Sequence, residues 1–310
     1  MALALILCNI FWGCHRRPLH ELDSAVEVII NIGTDITNHE VKSLPGLMRV
    51  IFYDHENGTM MTQGFTGPHG GVVNVLPDRT YDVMCYNFDT QVTFIENEQR
   101  FSSAYATTNL IPEVYRKRLV SRANKSGTEE FAFDPDHLFV GRALGVHVPA
   151  RSVEQDPIQI VLDAETVVQS WIVELESIKG VEYIGAISCV ITGLSAGNYI
   201  CQDRMDSYFR TVYFDAASLT KDGRLTARFN TFGRNPDTGE KQILSIVVSD
   251  LAGKGYVFNM DVSAQFINNP EQIIRIKTED IEIEKPEVTE GGGIVPDVDE
   301  WDDVITDIEI

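Results

Sequence analysis

Gly193-Leu-Ser195-Ala-Gly197 spells the G-x-S-x-G turn on which many hydrolases raise a nucleophilic serine. That chemistry needs a strand-to-helix turn and a histidine base placed after the serine and its acid in the chain. All seven histidines, from His15 to His147, precede Ser195, and residues 187–192 and 198–201 on either side read as strands. The motif is therefore expected to be a turn between strands. Phe133-Asp-Pro-Asp-His137 gathers two carboxylates and an imidazole, groups that could ligate a cation, but Pro135 between the aspartates favours an ordinary turn. Neither HExxH nor CxxC occurs, and the glycines at 67–71 and 291–293 lack the Lys-Ser/Thr of a phosphate cradle. The acidic residues at 297–303 lack the central glycine and closing glutamate of a calcium loop. With no nucleophile, base and oxyanion donor assembled, no catalytic residue, metal site or cofactor is expected.

The cysteines offer a different chemistry. Met1 to Cys14 is one short apolar run, below the ~20 residues a membrane-spanning helix needs and suited to a secretory leader. Phe11-Trp-Gly-Cys14 resembles a bacterial lipobox, in which the cysteine is acylated on its thiol and becomes the new N-terminus. His15-Arg-Arg-Pro18 turns polar at once. Residues 1–13 are expected to be a signal peptide, Cys14 the lipidation site and 14–23 a linker, which makes a membrane the first partner. A buried N-terminal strand with an incidental cysteine is the alternative. Beyond Cys8 and Cys14 there remain Cys85, Cys189 and Cys201, an odd number and so no disulfide framework. Cys189 and Cys201 flank Ser195 symmetrically. A hairpin turning there would set them opposite each other, so a disulfide stands as the alternative to two buried thiols.

The elements that position these residues read as strand after strand. Apolar residues alternate in Val26/Val28/Ile30/Ile32, Met48/Val50/Phe52, Trp171/Val173/Leu175, Leu225/Ala227/Phe229, Ile243/Val247 and Tyr256/Phe258/Met260, which puts one face of each strand on a core. Turn signals such as Gly58, Asp222-Gly223 and Asn269-Pro270 separate them. Only residues 112–124, opening on a proline and ending in a basic cluster, suit a short helix. The expected fold is all-β: two tandem antiparallel β-sandwich domains, 24–150 and 151–286, with an acidic, glycine-containing tail at 287–310.

Charge excludes one class of partner. The chain has 46 Asp and Glu against 25 Lys and Arg, a net charge of −21, so nucleic acid is not expected to bind. More than half of the excess lies beyond Thr278, where Lys285 is the sole basic residue. In the tail Val298, Val304, Ile308 and Ile310 share one parity with Glu300 and Asp302. The segment has the length and alternation of a strand for exchange with another chain; a solvated tail or an edge strand of its own domain are the alternatives.

Taken in order, Cys14-His-Arg-Arg-Pro-Leu-His-Glu-Leu, Pro45-Gly-Leu-Met-Arg-Val-Ile-Phe-Tyr, residues 76–89, Asp134-Pro-Asp-His-Leu-Phe-Val140 and Phe258-Asn-Met-Asp-Val262 resemble the fimbrillin-like lipoproteins of Bacteroidales. More narrowly, the chain is similar to a family of lipoproteins with an uncharacterised domain, related to type V pilus subunits and anchors. The resemblance implies transthyretin-like or Greek-key sandwiches in an outer-membrane-anchored protein of the cell envelope. It also implies a role as a fimbrial anchor or accessory subunit, with pilin-like subunits as partners through strand exchange. A carbohydrate-binding surface lipoprotein is the competing expectation. It would need an exposed aromatic platform, for which Tyr105, Tyr115, Tyr208 and Trp301 are the candidates.

Overall fold

The computed structural model describes residues 25–36, 44–112, 130–150, 156–286 and 304–309. Cys14, Tyr115, Val298, Trp301, Ile310 and nearly all of the helix expected at 112–124 lie outside that set. Within it the chain is all-β, and its helical turns are 3₁₀ segments of three or four residues.

The first sheet contains β1 (Val26–Thr34), β2 (Met48–Asp54), β3 (Met60–Thr66), β4 (Gly70–Val75), β5 (Arg79–Asn87), β9 (Phe139–Val148) and β10 (Ile158–Thr166), in the order β3-β2-β5-β9-β10-β1-β4. Alternation does what it promises: Val28, Ile30 and Ile32 meet Met48, Val50, Phe52, Val83 and Leu162 in one core, so the sheet curls around its own apolar face. Asp54 stops β2 by accepting hydrogen bonds on Oδ1 from the amides of Glu56 (3.0 Å) and Asn57 (3.1 Å). Gly70 turns β3 into β4 at φ +100°, and a Cβ there would lie 1.9 Å from the Ile30 carbonyl oxygen. Only glycine lets β4 close against β1.

The second sheet contains β11 (Gln169–Glu176), β12 (Ile184–Ser195), β15 (Phe209–Leu219), β16 (Leu225–Thr231), β17 (Ile243–Asp250), β18 (Gly255–Asp261), β19 (Ile273–Lys277) and β20 (Val304–Ile308), ordered β19-β11-β16-β15-β12-β17-β18-β20. It too wraps a core, in which Trp171, Val173, Phe214, Phe229, Ile246, Phe258 and Ile274 are buried together. A smaller sheet, ordered β14-β13-β7-β6, takes β6 (Thr93–Glu96) and β7 (Tyr105–Thr108) from the first half and β13 (Gly197–Tyr199) and β14 (Arg204–Met205) from the second. Its Ala106 packs with Ile51, Tyr53, Met84 and Tyr86 from the outer face of the first sheet and with Ile200 and Phe232 from the second half. In return β8 (Phe131–Phe133) of the first half pairs with β15.

Three features lie outside what the sequence pattern reveals. The first sheet takes in β10, which ends at Thr166. β10 pairs with β1 and β9, and its Ile160, Leu162 and Ala164 complete the first core. The sheets are mainly but not wholly antiparallel: β1/β10, β11/β19, β8/β15 and β18/β20 run parallel. In β17 the core parity is Leu244, Ile246 and Val248, whereas Ile243 and Val247 are half-buried on the other face. A run apolar on both parities carries no alternation to read.

Candidate functional site

Ser195 ends β12, and the chain passes through Ala196 straight into β13, strand to strand. Gly193 has φ +69°, and a Cβ on it would come 2.5 Å from the Lys241 carbonyl oxygen, which is what the glycine is for. The Ser195 hydroxyl is buried and faces two carbonyl acceptors, Gly197 at 2.8 Å and Asp206 at 3.0 Å. No hairpin folds at Ser195, because β12 pairs with β15 and β17 whereas β13 pairs with β7 and β14. Cys189 consequently points into the second core while Cys201 follows β13, and both are free, buried thiols. Burial holds both thiols above their ordinary pKa.

The loop carrying Asp134, Asp136 and His137 joins the halves. Asp136 Oδ2 accepts hydrogen bonds from three successive amides, Gln91 (2.8 Å), Val92 (2.7 Å) and Thr93 (2.9 Å), while the Thr93 hydroxyl oxygen accepts from the Asp136 amide at 2.7 Å. Asp134 accepts from the Asn230 amide of β16 at 3.3 Å, and Asn230 Nδ2 donates to the Pro135 carbonyl at 2.8 Å. Burial pushes the Asp134 carboxyl up to about 6, with the charges of Asp136 and Asp215 adding to it and the Asn230 amide opposing.

Because the folded chain holds that proton more tightly than the unfolded one, Asp134 favours the native state progressively as pH falls from above 6 toward 4. At neutral pH it opposes folding, by at most about 3 kcal/mol. Asp134→Asn is expected to raise stability much more at pH 7.5 than at pH 4.5, where the native carboxyl is already protonated. Urea denaturation at the two pH values reads this, and an equal effect at both would contradict it.

The tail strand is seated on its own domain. β20 runs parallel to β18 from Tyr256↔Val304 to Met260↔Ile308 and forms one edge of the second sheet. Ile308 enters the second core at 6% exposure, whereas Val304 and Ile305 remain exposed at 38% and 49%. Asp307 accepts from Asn259 Nδ2 at 3.0 Å, so a tail carboxylate is used in docking.

Of the aromatic candidates, Tyr105 packs against Tyr199 with its hydroxyl donating to Asp206 at 2.8 Å. Tyr208 is exposed and stacks on Phe209. Sequence reasoning missed the larger cluster: Phe65 and Phe88, both about half-exposed, lie 5.3 Å apart, with the Arg49 guanidinium over both rings. Register brings them together. Arg49 lies opposite Phe65 across β2 and β3, and Phe88 follows β5 on the other flank of β2. An isolated phenylalanine at a strand end carries no such signal in a sequence.

Two curled sheets, interlocked by exchanged strands and extended by a parallel edge strand from the tail, define a two-domain β-sandwich protein. The family model described as "Domain of unknown function (DUF5119)" matches residues 13–215, and the chain belongs to that family. A Bacteroides ovatus protein named "Putative fimbrium anchoring subunit Fim4B" is 25% identical to it over 93% of this chain and 91% of its own length. Among solved structures, a "putative adhesin" from Bacteroides ovatus shares the fold, with a TM-score of 0.65 and 22% identity over 89% of this chain and 99% of that one. The fimbrial anchor protein Mfa2 from Porphyromonas gingivalis aligns with a TM-score of 0.49 and 13% identity over 82% of this chain and 89% of its own.

Proposed function

We propose that this protein is a lipid-anchored subunit of a fimbrial system in the bacterial cell envelope, acting as an anchor or accessory subunit at the outer membrane. The observation that carries the reading is similarity to the named fimbrium anchoring subunit along nearly the full length of both chains. Cys14 is the attachment point for the acyl chains, and the family match opens at Gly13, the residue before it. Partners are pilus subunits, engaged by strand exchange at a sheet edge. The β18 edge suits the exchange: its present occupant, β20, buries one large apolar side chain, Ile308, and leaves two aliphatic neighbours in solvent, so an incoming strand has little to displace. The acidic body and the interlocked sheets serve contact, and no reaction is assigned to them.

Labelled palmitate supplies the test. The native chain is expected to incorporate it and to fractionate with membranes, and Cys14→Ala to lose both while folding normally. Cells carrying only Cys14→Ala are expected to shed pili into the medium. Retention of pili by those cells, or an unlabelled native chain, would overturn the proposal.

A further inference from the structure

Where the 134–137 loop meets β11 and β16, the two halves leave a cleft of about 330 Å³. Asp134, His137, Ser170, Arg228, Asn230 and Gln272 line it, with Glu271 beside them; Trp171 and Phe229 border it, their side chains buried in the second core. The polar wall is held in place before any ligand arrives. Ser170 Oγ donates to Asn230 Oδ1 at 2.9 Å, and Asn230 in turn bonds Pro135 and Asp134. Gln272 sits at φ +56°, a left-handed conformation that costs about 1 kcal/mol or more in a residue with a side chain. It is kept there by Asn269 Oδ1, which accepts from its amide at 3.1 Å, and by the Ile172 amide, which donates to its carbonyl at 2.9 Å. A strained residue among fixed polar groups, in a cleft between domains, is the usual setting of a small-molecule site.

We propose that this cleft binds a single neutral sugar residue. A guanidinium that only donates, carboxylates that accept and side-chain amides and a hydroxyl that do both match the vicinal hydroxyls of a sugar ring, each of which donates and accepts. Two carboxylates in the lining disfavour an anionic ligand. The volume lies at the small end of ligand sites, enough for one ring and not for a chain. This assignment is independent of the fimbrial role.

Trp171 provides the readout. In the full chain carrying Trp12→Phe and Trp301→Phe it is the sole indole, so its fluorescence reports on the cleft. Titration with glucose, galactose, mannose and N-acetylglucosamine is expected to give a saturable change with at least one of them. Arg228→Ala and Glu271→Gln alter exposed side chains and are each expected to weaken that binding about tenfold. Tyr208→Ala, elsewhere on the surface, is expected to leave it unchanged. No saturable change with any sugar, a response that survives both cleft substitutions, or equal binding of N-acetylneuraminic acid would overturn the proposal.

Discussion

Phe229→Ala is expected to cost about 3–5 kcal/mol of stability, read as a fall in the urea midpoint. The ring is 1% exposed, stacked on Phe214 with centroids 4.6 Å apart, and lies opposite Trp171 across the β11–β16 ladder. Truncation removes the transfer energy of a whole ring and leaves a hole that its strand-held neighbours cannot collapse into. Trp171 lies opposite in the same core, so its emission is expected to shift to the red as the packing around it loosens. Phe229→Leu, which keeps most of the apolar volume, is expected to lose much less. A loss below about 1 kcal/mol for the alanine variant would mean that the second core is not packed as described.

Asp136→Ala is expected to destabilise by about 3 kcal/mol, because one carboxylate oxygen satisfies the amides of Gln91, Val92 and Thr93 at once. Val92 is half-buried and Thr93 buried, so water replaces the lost acceptor poorly. Asp136→Asn retains one acceptor oxygen without its charge and is expected to recover part of the loss. Amide hydrogen exchange separates this local role from a general one. Residues 91–93 are expected to lose protection well before strands of the second sheet such as β12 and β17. Uniform loss of protection across both sheets would contradict it.

Where one face of a strand is buried and the other wet, the sequence reveals it, and Val28/Ile30/Ile32 and Trp171/Val173/Leu175 sit in the cores their spacing predicts. Where both faces are covered, it does not: β17 is apolar on both parities, and its inward set could be chosen only with its neighbours in place. Partners across long stretches of chain were equally hidden. Nothing near residue 158 announces that β10 will lie beside β1, since parallel pairing leaves no turn to mark it. The Pro-containing connection at 147–157 therefore gives no sign that the next strand rejoins the first sheet. The strands on either side of the G-x-S-x-G segment were legible, but not that β12 continues through Ala196 into β13 without reversing. The cleft was not legible either, because it draws on the 134–137 loop, two strands and the 271–272 turn, which meet only in the fold.

The β1–β10 pairing also bears on how such a chain carries load. Both strands run in the same direction over seven matched residues, Val28–Thr34 beside Ile158–Ala164, and the N-terminal chain enters at the start of β1 while the second half leaves from the end of β10. Tension between the N-terminal end and anything gripping the second half would therefore slide the two strands past each other lengthwise. Every rung of that ladder would bear the pull together, where an antiparallel neighbour in the same place would let them peel apart one at a time.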